Sequence, residues 1–167
     1  MTTTTATLKS DSRALLPFRH TIATLAYRAA KALKEAPPGF GEFRPGKDSR
    51  SAGEILSHLC DLFDWALSMA RGKEQWQDTK PKSWSEDSNR FFAALEAFDS
   101  YVASGQTLHA PCEKLFQGAV ADALTHVGQI AMLRRLAGGA IRPENYSVAK
   151  IEAGRVAASQ NPPVAEF

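Results

Sequence analysis

The chain has 167 residues, 44% of them apolar and 23% charged, which fits one ordinary hydrophobic core. A net charge of +2, with no Lys/Arg run on any segment, argues against nucleic acid or a membrane surface as a partner. The longest apolar runs fall far short of the roughly 20 residues that a bilayer span needs.

The chain opens on Met1-Thr2-Thr3-Thr4-Thr5-Ala6, without the basic region and apolar stretch of a signal peptide. Residues 1–11 therefore read as a flexible tail and the protein as cytoplasmic. Two cysteines, Cys60 and Cys112, are too few for a disulfide framework and fit reduced thiols.

The first predicted helix covers about residues 12–35. Leu15, Leu16, Phe18, Ile22, Leu25, Ala26, Ala29 and Leu33 form its stripe. Pro17 suits a first turn and draws the start towards Leu16. Pro37, Pro38 and Gly39 end the helix, and Phe40 to Arg50 is a loop rich in turn formers. Ser51 and Glu54 make a capping box for a second helix. Ile55, Leu56, Leu59, Leu62, Phe63, Ala66 and Met69/Ala70 follow at helical spacing, and Gly72 stops it. A polar connection, residues 73–82, carries Trp76 and Pro81. Ser83 and Glu86 open a third helix with Phe91, Phe92, Leu95, Phe98 and Val102 on its apolar face. A connection over 107–118 leads to a fourth helix, about 118–137.

Leu124, Val127, Ala131 and Leu133/Leu136 give that helix its stripe, and Gly138-Gly139 its left-handed stop. Arg134 and Arg135 suit the negative end of its own dipole. In the remaining tail the pattern predicts a short helix over 144–154 and an extended end at Asn161-Pro162-Pro163. No segment has strand periodicity. The expected fold is all-α: a four-helix bundle over 12–140, with residues 141–167 as an extension packed on it. The first connection is long enough for a crossover.

Asp122 and His126 lie four apart on the fourth helix, on one face and roughly 6 Å apart along the axis. His58 lies on or beside the buried stripe of the second helix. If the two helices are neighbours, two imidazoles and one carboxylate meet. That set suits a divalent transition metal such as Zn, Ni, Fe or Mn, with positions left for water or a small-molecule substrate. Gln129 and Asp61 each lie three residues after a candidate ligand and are candidate partners of those ligands; a surface position is the simpler reading for Asp61. Trp65 fits the core. Trp76 and Trp84 flank the 73–82 connection and are placed to line a pocket mouth. Glu54 is explained by capping, and Cys60, two residues on, points away from His58 on the helix. A second reading stays open, in which His58, Asp122 and His126 are packing residues of a metal-free bundle that works through protein contacts.

The segments Ile55-Leu56-Ser57-His58-Leu59 and Asp122-x-x-x-His126-Val127-Gly128-Gln129, with Leu133-Arg134 beyond, resemble the DinB family of DinB/YfiT-like putative metalloenzymes. Asn145-Tyr146 and Gly154-Arg155-Val156 resemble a C-terminal extension found in a subgroup. The resemblance implies an up-up-down-down bundle, often a homodimer, and a divalent metal held by one histidine of helix two and a His-x-x-x-His pair of helix four. His58 and His126 match two of those ligands, and Asp122 replaces the third. Some related bundles are transferases or isomerases that use low-molecular-weight thiols. By that resemblance the chain is a metal-dependent transferase or hydrolase, with Gln129 or Tyr146 orienting a ligand.

Overall fold

The computed structural model describes residues 13–167, so the predicted tail over 1–11 lies outside the described residues. Helices α1 (Leu16–Leu33), α2 (Ala52–Ala70) and α3 (Trp84–Ala103) are followed by a composite fourth rod. That rod is α4 (Cys112–Leu115), a π-helical turn (Phe116–Val120) and α5 (Ala121–Leu136). The protein is all-α, four helices packed together. Pro17 sits in the first turn of α1. Both capping boxes form: Ser51 with Glu54, and Ser83 with Glu86. Arg44 also pairs with the Glu54 carboxyl and, with the cap, holds it down at about 2.

The direction of each helix follows from who touches whom. Arg19 meets Asp99, Phe18 meets Phe98 and the Trp84 indole donates to the Leu33 carbonyl, so α1 and α3 are antiparallel. Cys60 donates to the Asp87 carbonyl, Phe63 packs on Phe91 and Arg71 lies over Tyr101, so α2 and α3 are parallel. Trp65 faces Gly118 and His58 faces Asp122, so α5 runs antiparallel to α2. Arg134 of α5 reaches Ala32 at the end of α1. The order is therefore up-down-down-up, which corrects the expected up-up-down-down. In the ring of helices α1 and α2 each touch both α3 and α5. The crossover falls between α2 and α3, not in the first connection. Two parallel neighbours need a return path, and residues 71–83 provide it by running back along α2.

Phe63, Phe91, Phe98, Ile22, Leu25, Leu56, Leu59, Leu95 and Ile130 are fully enclosed and form the centre of the core. Gly53 admits the first connection against α2: a Cβ there would lie 2.9 Å from the Gly41 carbonyl oxygen. Arg134 is buried, and its guanidinium donates to the carbonyls of Ala32, Lys34 and Glu35 at the end of α1, and to that of Gly139. It thus caps α1 rather than its own helix, where a cation suits the unpaired carbonyls equally well. Residues 141–167 form no helix over 144–154, only a 3-10 turn at Tyr146–Val148. They lie against α1, where Tyr27 donates to Glu144 at 2.7 Å and Lys31 bridges Glu144 and Glu166. Val156 is buried in the same core.

Asp61, expected on a surface face, is buried at 2% exposure. Arg90 of α3 pairs with it and with Asp64, and the Thr79 amide donates to it at 2.9 Å. A buried carboxylate is tolerable only with such partners. Arg90→Ala should therefore lower stability by about 2–3 kcal/mol, since it strands Asp61 while Arg90 itself is part-exposed. Urea unfolding checks this, and limited proteolysis should show new cleavage within residues 73–80. An unchanged midpoint would refute the role given to the pair.

Candidate metal centre

The three candidate ligands of the sequence meet. His58 Nε2 lies 3.4 Å from Asp122 Oδ2, and His126 Nδ1 lies 3.8 Å from Asp122 Oδ1. One donor atom from each of the three residues lies within 4.8 Å of the other two. The imidazole centroids are 4.8 Å apart. With bonds of ~2.1 Å, neighbouring donors around one ion sit roughly 3–3.4 Å apart. The His58–Asp122 spacing already fits, and the rest needs from a few tenths of an ångström to roughly 1.5 Å of closure, within reach of rotations about side-chain bonds. Two neutral imidazoles and a carboxylate could hold a divalent transition metal.

Each ligand is placed by its element. His58 and the Asp122/His126 pair face each other because α2 and α5 are antiparallel neighbours. The π-helical turn just upstream contains Gly118, where a Cβ would lie 3.3 Å from the Trp65 ring. The missing side chain lets the rod approach α2 there, four residues before Asp122. Insertions of this kind inside helices often accompany functional sites. The sequence places the fourth helix from about residue 118, because Gly118 and Pro111 read as connection. In the structure Pro111 is the N-cap and the rod begins at Cys112.

Burial is the main cause that pushes His126 below the usual imidazole range; the neighbouring Asp122 carboxylate opposes it, and His58 and Arg50 add to it. A neutral ring is the form that binds metal. Thr125 Oγ1 lies 3.4 Å from His126 Nδ1 and donates to the Asp122 carbonyl at 2.7 Å. Trp76 packs on His58, centroids 5.5 Å apart, and Trp65 stands edge-on to Trp76 at 5.8 Å. The return segment thus lays an aromatic wall against the outer side of His58.

Other candidate residues are distributed differently. Asp61 and His58 line one polar cavity of about 440 Å³, together with Arg50, Asp78 and Thr79. Gln129 is exposed and lines a second cavity, about 520 Å³, beside His126. Trp65 is half-buried behind Trp76. Tyr146 is not part of the cluster: it packs on Tyr27 and under Arg28 of α1. Trp84 lies against Phe40 and lines neither cavity. Cys60 is buried, its thiol pushed up to about 12 by desolvation, and it points at α3. Arg50 and Ser49, in the first connection, line both cavities, and sequence reading passed over them as loop. Their only signal was position, directly before the Ser51 cap.

Comparison with known families, with curated proteins and with solved structures returns no match for this chain. No helix among the described residues is long and apolar enough to cross a membrane.

Because Trp76 touches His58, Ni²⁺ added to metal-free protein should quench part of the tryptophan emission. Trp76→Phe should remove most of that quenching while retaining Ni²⁺ binding by calorimetry. Equal quenching in the variant would place the ion elsewhere.

Proposed function

We propose that this chain is a DinB/YfiT-like, divalent-metal-dependent enzyme, a transferase or hydrolase acting on a small molecule. The observation that carries the reading is the convergence of His58, Asp122 and His126 on one point between α2 and α5. The short motifs at His58 and at Asp122-x-x-x-His126 support it. In this reading the three side chains are the protein's ligands to Zn, Ni, Fe or Mn, and Asp122 gives the site one negative charge that a third histidine would not. Bound there, the ion supplies Lewis acidity at the positions that three protein ligands leave open.

The remaining residues prepare that point. Trp76 keeps water from the outer side of His58. The Asp61–Arg90 pair fixes Thr79 and with it the return segment that carries Trp76. Thr125 limits how His126 and the last turn before it can move. Gln129 stands at the mouth of the cavity beside His126, placed to orient a substrate. A cytoplasmic homodimer belongs to the same proposal and follows from the family resemblance.

The test is elemental analysis of untagged protein purified without chelators. Wild type should carry close to one equivalent of a divalent transition metal. His58→Ala/His126→Ala should carry none at unchanged helical content. Asp122→Ala should weaken binding by more than about tenfold, the least that even the loss of a ligand's supporting partner costs. Wild-type protein that is metal-free and takes up none of the four ions would overturn the proposal. Metal held with no exchangeable coordination position would leave a non-catalytic binding module.

A further inference from the structure

The metal cluster stands on the partition between two cavities of different character. On the His58 side the wall is polar: Arg44, Lys47, Asp48, Glu54, Asp61 and Asp78 are among its residues. On the His126 side the groove is lined by Ile55, Met132, Leu133 and Leu136, and its lining surface is mostly apolar. Met132 and Leu136 are 56% and 57% exposed, although they sit on a helix whose other leucines and valines face the core or its edge. Leu136 thus departs from the buried stripe that the sequence suggested. Arg50 lines both cavities.

Some of the charges around Arg50 are matched. Arg44 is paired with Glu54, and Asp61 with Arg90. Lys47 shares its wall with Asp48 and Asp78. The Arg50 guanidinium has no hydrogen bond and no ion pair among the described residues, and of these charged groups it alone also lines the apolar groove. An unpaired guanidinium fork at the lip of an apolar groove matches a carboxylate, which it can grip with two parallel hydrogen bonds. A dianionic phosphate fits less well, because Asp48 and Asp78 repel a second negative charge. The groove's volume is in the range of small-molecule sites.

We propose that the substrate of this centre is an amphiphilic monocarboxylate, with its anion on Arg50 and its apolar tail along Ile55, Met132, Leu133 and Leu136. The assignment of this ligand as substrate rests on the metal-enzyme reading above; the binding of the carboxylate itself does not. Arg50 is the specificity residue for the head, and the exposed face of α5 is the seat of the tail. The carboxylate end then lies on the His126 side of the cluster.

Calorimetric titration with octanoate, butanoate and octylamine tests this on the full chain, with metal content measured on each sample. Octanoate should bind wild type, and affinity should fall by up to roughly fourfold for each methylene removed on the way to butanoate. Octylamine should not bind. Arg50→Gln should weaken octanoate by about tenfold or more, and Arg50→Lys should restore part of the loss. Met132→Ser/Leu136→Ser, both at exposed positions, should flatten the dependence on chain length. Equal affinity of wild type and Arg50→Gln would overturn the proposal, as would butanoate binding as tightly as octanoate. Failure of octanoate together with a dimer that Met132→Ser/Leu136→Ser dissociates in sedimentation would also overturn it, and would give the groove to a second copy of the chain. Metal-free protein that still binds octanoate through Arg50 would sink the enzyme reading and leave the carboxylate site standing; metal-loaded protein that ignores octanoate would do the reverse.

Discussion

A parallel α2/α3 pair cannot be joined by a tight turn. The chain has to travel back the length of α2 before α3 can begin, and the polar segment that makes the journey needs partners for its backbone. The buried Asp61 carboxylate supplies the central one. It accepts the Thr79 amide and is neutralised by Arg90, which also reaches the Thr79 hydroxyl. Ser57 donates to the Thr79 carbonyl, and Ser68 bonds to Gln75 farther along. One charged pair between helices therefore fixes both the register of α2 on α3 and the course of the segment that covers His58. Charge burial is costly, and the same cost ties residues 71–83 to Asp61 through the Thr79 amide.

The His58–Asp122–His126 cluster depends on a second constraint, the approach of the fourth rod to α2. That rod meets the Trp65 ring at Gly118, within a turn whose wider hydrogen bonding adds a residue to the helix. An added residue rotates everything beyond it by about 100°. Without the insertion, the rod's upstream face and the Asp122/His126 face would have a different relation. With it, the Leu115 side chain of α4 stays in the core while Asp122 and His126 turn to His58. The two devices meet at the aromatic wall: the return segment brings Trp76, and the π-helical turn seats Trp65 behind it.

Between them these constraints leave the centre asymmetric. One side of it is walled by charged side chains, the other by an apolar groove from which Met132 and Leu136 stand exposed. Arg50 joins the two sides, and it does so from a loop whose end is pinned by the Ser51 cap and by the Arg44–Glu54 pair. A rigid helix start thus holds an unpaired cation beside the candidate metal ligands, an arrangement that packing alone does not call for.

The sequence by itself determined the helices and two of the ends that matter most. Apolar residues at helical spacing, two capping boxes and the placement of Pro17 are local signals, and each acts within a turn or two of where it is written. The ligand pair Asp122/His126 was legible for the same reason, since helical geometry alone brings residues four apart together. Helix direction was not legible: up-up-down-down and up-down-down-up share the same stripes, and they are separated by contacts between residues on different helices, such as Arg19 with Asp99 and Cys60 with Asp87. Tyr146 shows the converse error, because an aromatic in an extension carries no local sign of which helix it will cover, and α1 offered Tyr27 and Arg28. That His58 meets Asp122 and His126, that Trp76 closes on it and that Arg50 spans two cavities were decided by tertiary packing alone. Such juxtapositions are set by how whole faces of helices fit, and no short window of residues contains them.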